Sequence, residues 1–125
     1  MPNLKNIEGI GPTVASKFQT VGIRTTDALL RHCSSPRGRK KVSLEIGLSD
    51  KLILRYTKQA DLLRVKGIGE EYADLLEAAG VDTVPELAQR NPSNLLKTLI
   101  LLNEEKKLVR QLPGIAAVDS WISHA

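Results

Sequence analysis

Ile7-Glu8-Gly9-Ile10-Gly11-Pro12-Thr13-Val14-Ala15 returns 58 positions later as Val65-Lys66-Gly67-Ile68-Gly69-Glu70-Glu71-Tyr72-Ala73, and this repetition governs the reading of the whole chain. The flanking positions match as well, with Leu4 and Phe18 around the first copy and Leu62 and Leu76 around the second. Farther on, Gly22, Thr25 and Leu29 correspond to Gly80, Thr83 and Leu87. Glycine ends a helix by taking a left-handed conformation without strain, and a second glycine lets the chain turn tightly into the next helix. The apolar residue between them is expected to point inward. The alanine four positions after the second glycine lets two helices approach closely, with the apolar positions on either side buried between them. Such a unit leaves backbone amides exposed at a helix start, a natural seat for a phosphate.

Composition sets the outer limits. With 125 residues, 42% of them hydrophobic, the chain reads as one compact soluble domain or two small pseudo-repeated halves sharing a core. Phe18, Tyr56, Tyr72 and Trp121 are the only aromatics, so the core must rest on Leu, Ile, Val and Ala, as in an all-helical domain. The single Cys33 excludes an internal disulfide, and His32 beside it lacks the further Cys and His residues of a zinc site. No metal and no cofactor is therefore expected, and the default setting is reduced and cytoplasmic. The densest apolar stretch, Leu95 to Leu102, is too short to span a bilayer, and no basic start leads into an apolar run. Secretion and membrane insertion are thus excluded at this level.

Charge separates the halves. Residues 1–60 carry eleven basic and four acidic side chains, a balance of +7, whereas residues 61–125 carry seven and ten, a balance of −3. Halves built on one pattern but given opposite electrostatics imply divided labour, with a polyanion expected on the first only.

Helix signals dominate the pass along the chain. A short helix is expected up to Ile7, then the Gly9–Gly11 hairpin and a helix from Pro12 to about Val21, because proline suits a first helical turn. Thr25 is expected to cap a helix through about His32, and Ser35-Pro36 to open another to about Ile46 before Gly47. Val42 to Leu48 alternates like a strand, but nothing else could pair with it, so the helix is preferred. Ser49 starts a long helix with Leu52, Tyr56, Ala60 and Leu63 on one stripe. The second half repeats the order: a helix from Glu70 to Ala79, a capping box at Thr83-Val84-Pro85-Glu86, a helix from Asn91-Pro92 to about Arg110, and a last amphipathic helix with Ile115, Val118, Trp121 and Ile122.

Gly9-Ile10-Gly11-Pro12 and Gly67-Ile68-Gly69-Glu70, each with Ala four positions after its second Gly, resemble the helix-hairpin-helix motif of DNA repair and recombination proteins. Nearly the whole chain is similar to a bacterial family of small tandem helix-hairpin-helix proteins catalogued as a domain of unknown function. The supporting segments are Ser35-Pro36-Arg37-Gly38-Arg39-Lys40, Ala60 to Gly69, Glu86 to Pro92 and Asn103 to Arg110. The resemblance implies an all-α fold of two pseudo-repeated helix-hairpin-helix halves, residues 1–60 and 61–125, as SAM-like helical bundles packed into one compact domain. It also implies sequence-independent grip on the DNA phosphate backbone. Carried onto this chain, the backbones of Gly9, Ile10, Gly11, Thr13 and Val14 are the candidates, with Lys17 one turn on and Pro12 unable to donate. Hairpin carbonyls sometimes hold a monovalent cation in such proteins.

The second hairpin departs from that pattern. Glu70 and Glu71 stand where the phosphate would sit and would repel it by roughly a kilocalorie per mole each, although they complement the helix dipole. Gly67, Ile68 and Gly69 are therefore read as mainly structural. Arg37, Arg39, Lys40 and Lys41 open a helix where the dipole favours acids, a conflict that a bound anion would resolve. Arg37, Lys40 and Lys41 share a face, Arg39 points elsewhere, and Leu44 falls on the basic stripe. The plain alternative is a solvated face that keeps the chain soluble.

No catalytic residues are expected: Cys33, Ser34 and Ser35 have no base or orienting acid, and His32 and His124 read as surface groups. Glu104 to Lys107 read as a solvated stretch, and Trp121 as core. The leading expectation is a non-enzymatic module binding nucleic-acid backbone, without membrane or small-molecule substrate. The competing one is a protein-interaction or scaffold module, with a protein partner or weak self-association, because the leucines from Leu95 to Leu102 exceed one helix face.

Overall fold

The computed structural model describes residues 3–125, which are helical throughout apart from turns and one isolated bridge between Asn3 and Thr25. A short 3-10 helix, Leu4–Asn6, precedes α1 (Pro12–Gln19), α2 (Thr26–Cys33), α3 (Pro36–Ile46) and α4 (Asp50–Leu62). There follow α5 (Glu70–Ala78), α6 (Val84–Ala88), α7 (Pro92–Lys106) and α8 (Ile115–His124). Contacts divide the chain into two compact units, the boundary falling between Asp61 and Leu62. No helix among the described residues is long and apolar enough to cross a membrane.

In the first unit, polar caps and glycines set each boundary. Asn3 and Asn6 cap reciprocally: the Asn3 side chain accepts from the Lys5 amide at 3.0 Å, and the Asn6 side chain from the Asn3 amide at 2.9 Å. α1 is two residues shorter than expected because its end tightens, the Val21 amide reaching the Phe18 carbonyl at 3.1 Å. Gly22 then takes φ +80°, and the Ile23 amide also returns to Phe18, at 3.0 Å. Thr25 caps the Ala28 amide at 3.1 Å and Ser35 the Gly38 amide at 3.0 Å. The alternating stretch from Val42 resolves as helix up to Ile46, with Val42 and Ile46 buried one turn apart. Gly47 ends it at φ +76°.

On α4 the buried positions are Ile53, Tyr56, Thr57, Gln59, Ala60 and Leu62, so the stripe is broader than the expected one and turned from it, and Leu52 is only half-buried. Thr57 can be buried because its hydroxyl donates to the Ile53 carbonyl at 2.7 Å, which satisfies its polar atom inside the helix. Leu63 lies beyond the end of α4.

The second unit surrounds an apolar cluster that includes Leu62, Leu75, Leu76, Leu87, Leu95, Leu99 and Trp121. Burying each such leucine fully contributes about 1.5–3 kcal/mol before chain entropy is charged against it. Gly80 ends α5 at φ +85°, as Gly22 ends α1. The capping box at Thr83 is half made. Thr83 accepts from the Glu86 amide at 3.2 Å, but the Glu86 carboxylate accepts from the Thr83 hydroxyl rather than from its backbone amide. α7 stops four residues before Arg110. Lys107 turns left-handed at φ +51°, and the Asn103 amide group brackets Val109, accepting from its N–H at 3.0 Å and donating to its carbonyl at 3.3 Å. Leu95 and Leu99 are fully buried on α7, whereas Leu101 is 64% exposed, so the helix is not buried all round.

Candidate nucleic-acid interface

The first hairpin begins where the Ile7 amide closes on the Leu4 carbonyl at 3.0 Å and the Ile10 amide on that of Ile7 at 3.1 Å. Gly9 takes φ +93° between them, a conformation that a β-carbon disfavours. Ile10 is buried, as a plug should be, and Gly9, Gly11, Thr13 and Lys17 are exposed, with Val14 half-buried. Gly11 is the N-cap of α1: no side chain caps the helix there and no acid stands in its first turn. The helix start thus presents the Thr13 and Val14 amides to solvent-side ligands, since Pro12 has none to present.

The two glycines of this hairpin are not equivalent. Gly9 is required by its dihedral angle. Gly11 has ordinary extended backbone, φ −93° and ψ −171°, and a β-carbon there would meet nothing within 4 Å. Its N-cap position favours glycine over alanine, and Gly69 at the second hairpin has the same backbone and the same free space.

The hairpin is held from behind by the first turns of α4. The Arg55 guanidinium donates to the Glu8 carbonyl at 3.0 Å, and the Tyr56 hydroxyl to the Gly9 carbonyl at 3.3 Å. Tyr56 also meets the Phe18 ring edge-on, centroids 6.2 Å apart. Neither Arg55 nor Tyr56 stands out from its neighbours in sequence; scarcity of aromatics, with one late in each half, is the only signal that could have marked Tyr56.

The basic cluster lies on α3. Arg37, Lys40 and Lys41 are exposed and line a groove of about 580 Å3 with Ser35, Gly38 and Leu44. Arg39 leaves this group, its guanidinium donating to the Cys33 carbonyl at 3.0 Å at the end of α2. The lining includes none of the first-hairpin residues. Cys33 is fully buried, and burial pushes its thiol up to about 11 against the opposing pull of the Arg39 charge, so the thiol stays protonated and poorly nucleophilic.

The second hairpin repeats the backbone of the first, with Gly67 at φ +93°, the Ile68 amide on the Val65 carbonyl at 3.1 Å, and Gly69 at φ −97° and ψ −171°. Its surroundings differ. Glu70 and Glu71 occupy the first turn of α5, and a cleft of about 420 Å3 is shared with Tyr72, Arg110 and Gln111. The Tyr72 hydroxyl donates to the Gln111 carbonyl at 3.0 Å, which ties the α7–α8 connection to the hairpin side of α5. Trp121 backs Gly67 as Tyr56 backs Gly9, and it packs on Tyr72 with centroids 5.1 Å apart. His124 is exposed and accepts the Lys66 amide at 3.1 Å, which gives it a structural bond that the sequence did not disclose.

A family model, described as domain of unknown function (DUF4332), matches residues 8–125, from the first hairpin through α8. The chain belongs to this family. Family membership thus covers both units and both hairpins, and leaves the activity to be argued from their chemistry. No solved structure matches the chain. Among the described residues no three His, Cys, Asp or Glu side chains gather so as to hold a metal ion.

Proposed function

We propose that the chain is a tandem helix-hairpin-helix module that binds nucleic-acid backbone without catalysis, using its basic first unit, while the second hairpin is mainly architectural. The observation that carries this reading is the start of α1. It is uncapped and has no acid in its first turn, where the otherwise matching start of α5 carries Glu70 and Glu71, so only the first hairpin offers its amides to a phosphate without repulsion. Support comes from Lys17 and from Arg37, Lys40 and Lys41, all exposed in a unit of side-chain charge +6 when Asp61 is counted with it. At the second hairpin Glu70 and Glu71 oppose an anion and favour their own helix dipole. Contacts of this kind position a protein on DNA but read no bases. A reduced, cytoplasmic setting, as in a bacterial cell, accords with the single buried thiol.

The test is a fluorescence-anisotropy titration of labelled DNA at low and physiological salt. Wild type should lose about 0.9 log units of affinity per log unit of salt for each phosphate neutralised. Thr13→Glu, which puts an acid into the first turn of α1 as Glu70 and Glu71 stand in α5, should weaken binding without loss of thermal stability, and a variant with Glu at Arg37, Lys40 and Lys41 should abolish it. Binding indifferent to salt, or intact in both variants, overturns the reading.

A second reading is a protein-contact module of the same fold, favoured by Leu101, 64% exposed on α7. It predicts no DNA binding at any salt and a Leu101→Lys-sensitive association in sedimentation.

A further inference from the structure

Leu44 is the feature that backbone binding leaves unused. It is 78% exposed, more than Leu101 at 64% or Ile115 at 48%, and it lines the α3 groove with Arg37, Lys40 and Lys41. The apolar demand of α3 is already met by Val42 and Ile46, which are buried. Single exposed leucines are common and need no explanation. This one is set among cations, one helical face carrying Arg37, Lys40, Lys41 and Leu44 at spacings of three, four and seven.

The occupant of such a surface must offer negative charge and an apolar face side by side. A bilayer with anionic headgroups has both, but one leucine contributes far less apolar burial than a single acyl chain, which itself anchors only marginally. Intact duplex has the charge, but opening a base face to a leucine there costs the unstacking of a step, on the order of a few kcal/mol. A single strand, or a duplex interrupted by a gap, has phosphates flanking a base whose face is open to an apolar side chain.

We propose that Leu44 packs on the face of an unstacked base while Arg37, Lys40 and Lys41 hold the adjoining phosphates, so that the module prefers single-stranded or gapped nucleic acid to intact duplex. This rests on the reading of the first unit as a nucleic-acid binder and narrows its substrate class. The leucine contributes through burial, which salt hardly changes, whereas the cations contribute through counterion release, which salt suppresses.

The experiment uses the full chain and three labelled oligonucleotides of one sequence: single strand, intact duplex and gapped duplex, each at two salt concentrations. Wild type should bind the single strand and the gapped duplex more tightly than the intact one. Leu44→Ala should lose about fivefold on those two ligands at either salt and almost nothing on intact duplex. Lys41→Gln should instead flatten the salt dependence on all three. Leu44→Trp supplies an independent readout, because native Trp121 is 2% exposed and gives a constant background; its fluorescence should be quenched by the single strand and not by the duplex. Equal affinity for all three ligands, or unchanged binding by Leu44→Ala, overturns the inference and leaves backbone binding standing. No binding to any oligonucleotide overturns both. In that case Leu44-dependent binding to phosphatidylserine vesicles would give the groove to a membrane surface.

Discussion

The carbonyl oxygen of His32 occupies the space that a β-carbon on Gly38 would need. α2 and α3 are joined only through Ser34 and Ser35, and Gly38 lets the second helix start against the end of the first. Helix propensity alone would make Gly38→Ala stabilising by up to about 1 kcal/mol. The overlap is with backbone and cannot be relieved by a rotamer, so the substitution should instead cost about 2–3 kcal/mol. Thermal unfolding decides the sign.

The paired hairpin glycines should respond unequally. Gly9 and Gly67 share φ +93°, so alanine at either carries left-handed strain of about 1–2 kcal/mol. At Gly67 a β-carbon would also stand 2.9 Å from Nε1 of buried Trp121, whereas at Gly9 the nearest atom, 3.3 Å away, is the movable end of Arg55. Denaturant titration should therefore rank Gly67→Ala as more damaging than Gly9→Ala, with a shift in tryptophan emission only for the former. Gly69→Ala, at the N-cap of α5 with free space around it, should cost no more than about 1 kcal/mol.

Arg39 and Arg37 should separate stability from binding. Arg39 donates to the Cys33 carbonyl where α2 ends, a favourable site for a cation. Arg39→Gln should lower stability by about 1 kcal/mol and leave the salt slope of DNA binding nearly intact. Arg37→Gln should do the opposite, lowering that slope by about 0.9. The two measurements are chemical denaturation and anisotropy.

Tyr72→Phe removes the bond to the Gln111 carbonyl and little else. A loss of about 1 kcal/mol is expected. Hydrogen exchange should quicken around residues 107–113 and stay unchanged in the first unit.

Alkaline pH should loosen the first unit. Burial raises Cys33 from 9.0 to about 11 and raises Tyr56 above 10.0, so both hold their protons more tightly folded than unfolded. That stability is complete below pH 9 and is lost as pH rises through about 11, since the unfolded chain there binds fewer protons. Cys33→Ala should shift the midpoint of alkaline unfolding upward relative to its own stability at neutral pH. An unchanged profile would refute the assignment.

Much of the helical outline was legible because it is written in local chemistry. Ser35-Pro36 and Asn91-Pro92 open α3 and α7 where side-chain caps and proline require, and Gly22, Gly47 and Gly80 close helices with the left-handed residue that only glycine supplies freely. The end of α7 was missed because its stop signal is Asn103 reaching Val109, a side-chain bond formed only once the chain has turned. The partial capping box at Thr83 failed for a similar reason, since one carboxylate can satisfy either the hydroxyl or the backbone amide.

By itself the sequence determined the all-helical class, the recurrence of the glycine hairpin and the segregation of charge, because period, caps and composition act within a few residues of one another. Tertiary structure decided the rest. It set Arg55 and Tyr56 behind Gly9, turned Arg39 away from the basic face, closed α2 on Gly38 and left Leu44 in the open among its cations. Each of those depends on where a side chain meets groups outside its own turn, and that distance is settled only when the helices pack.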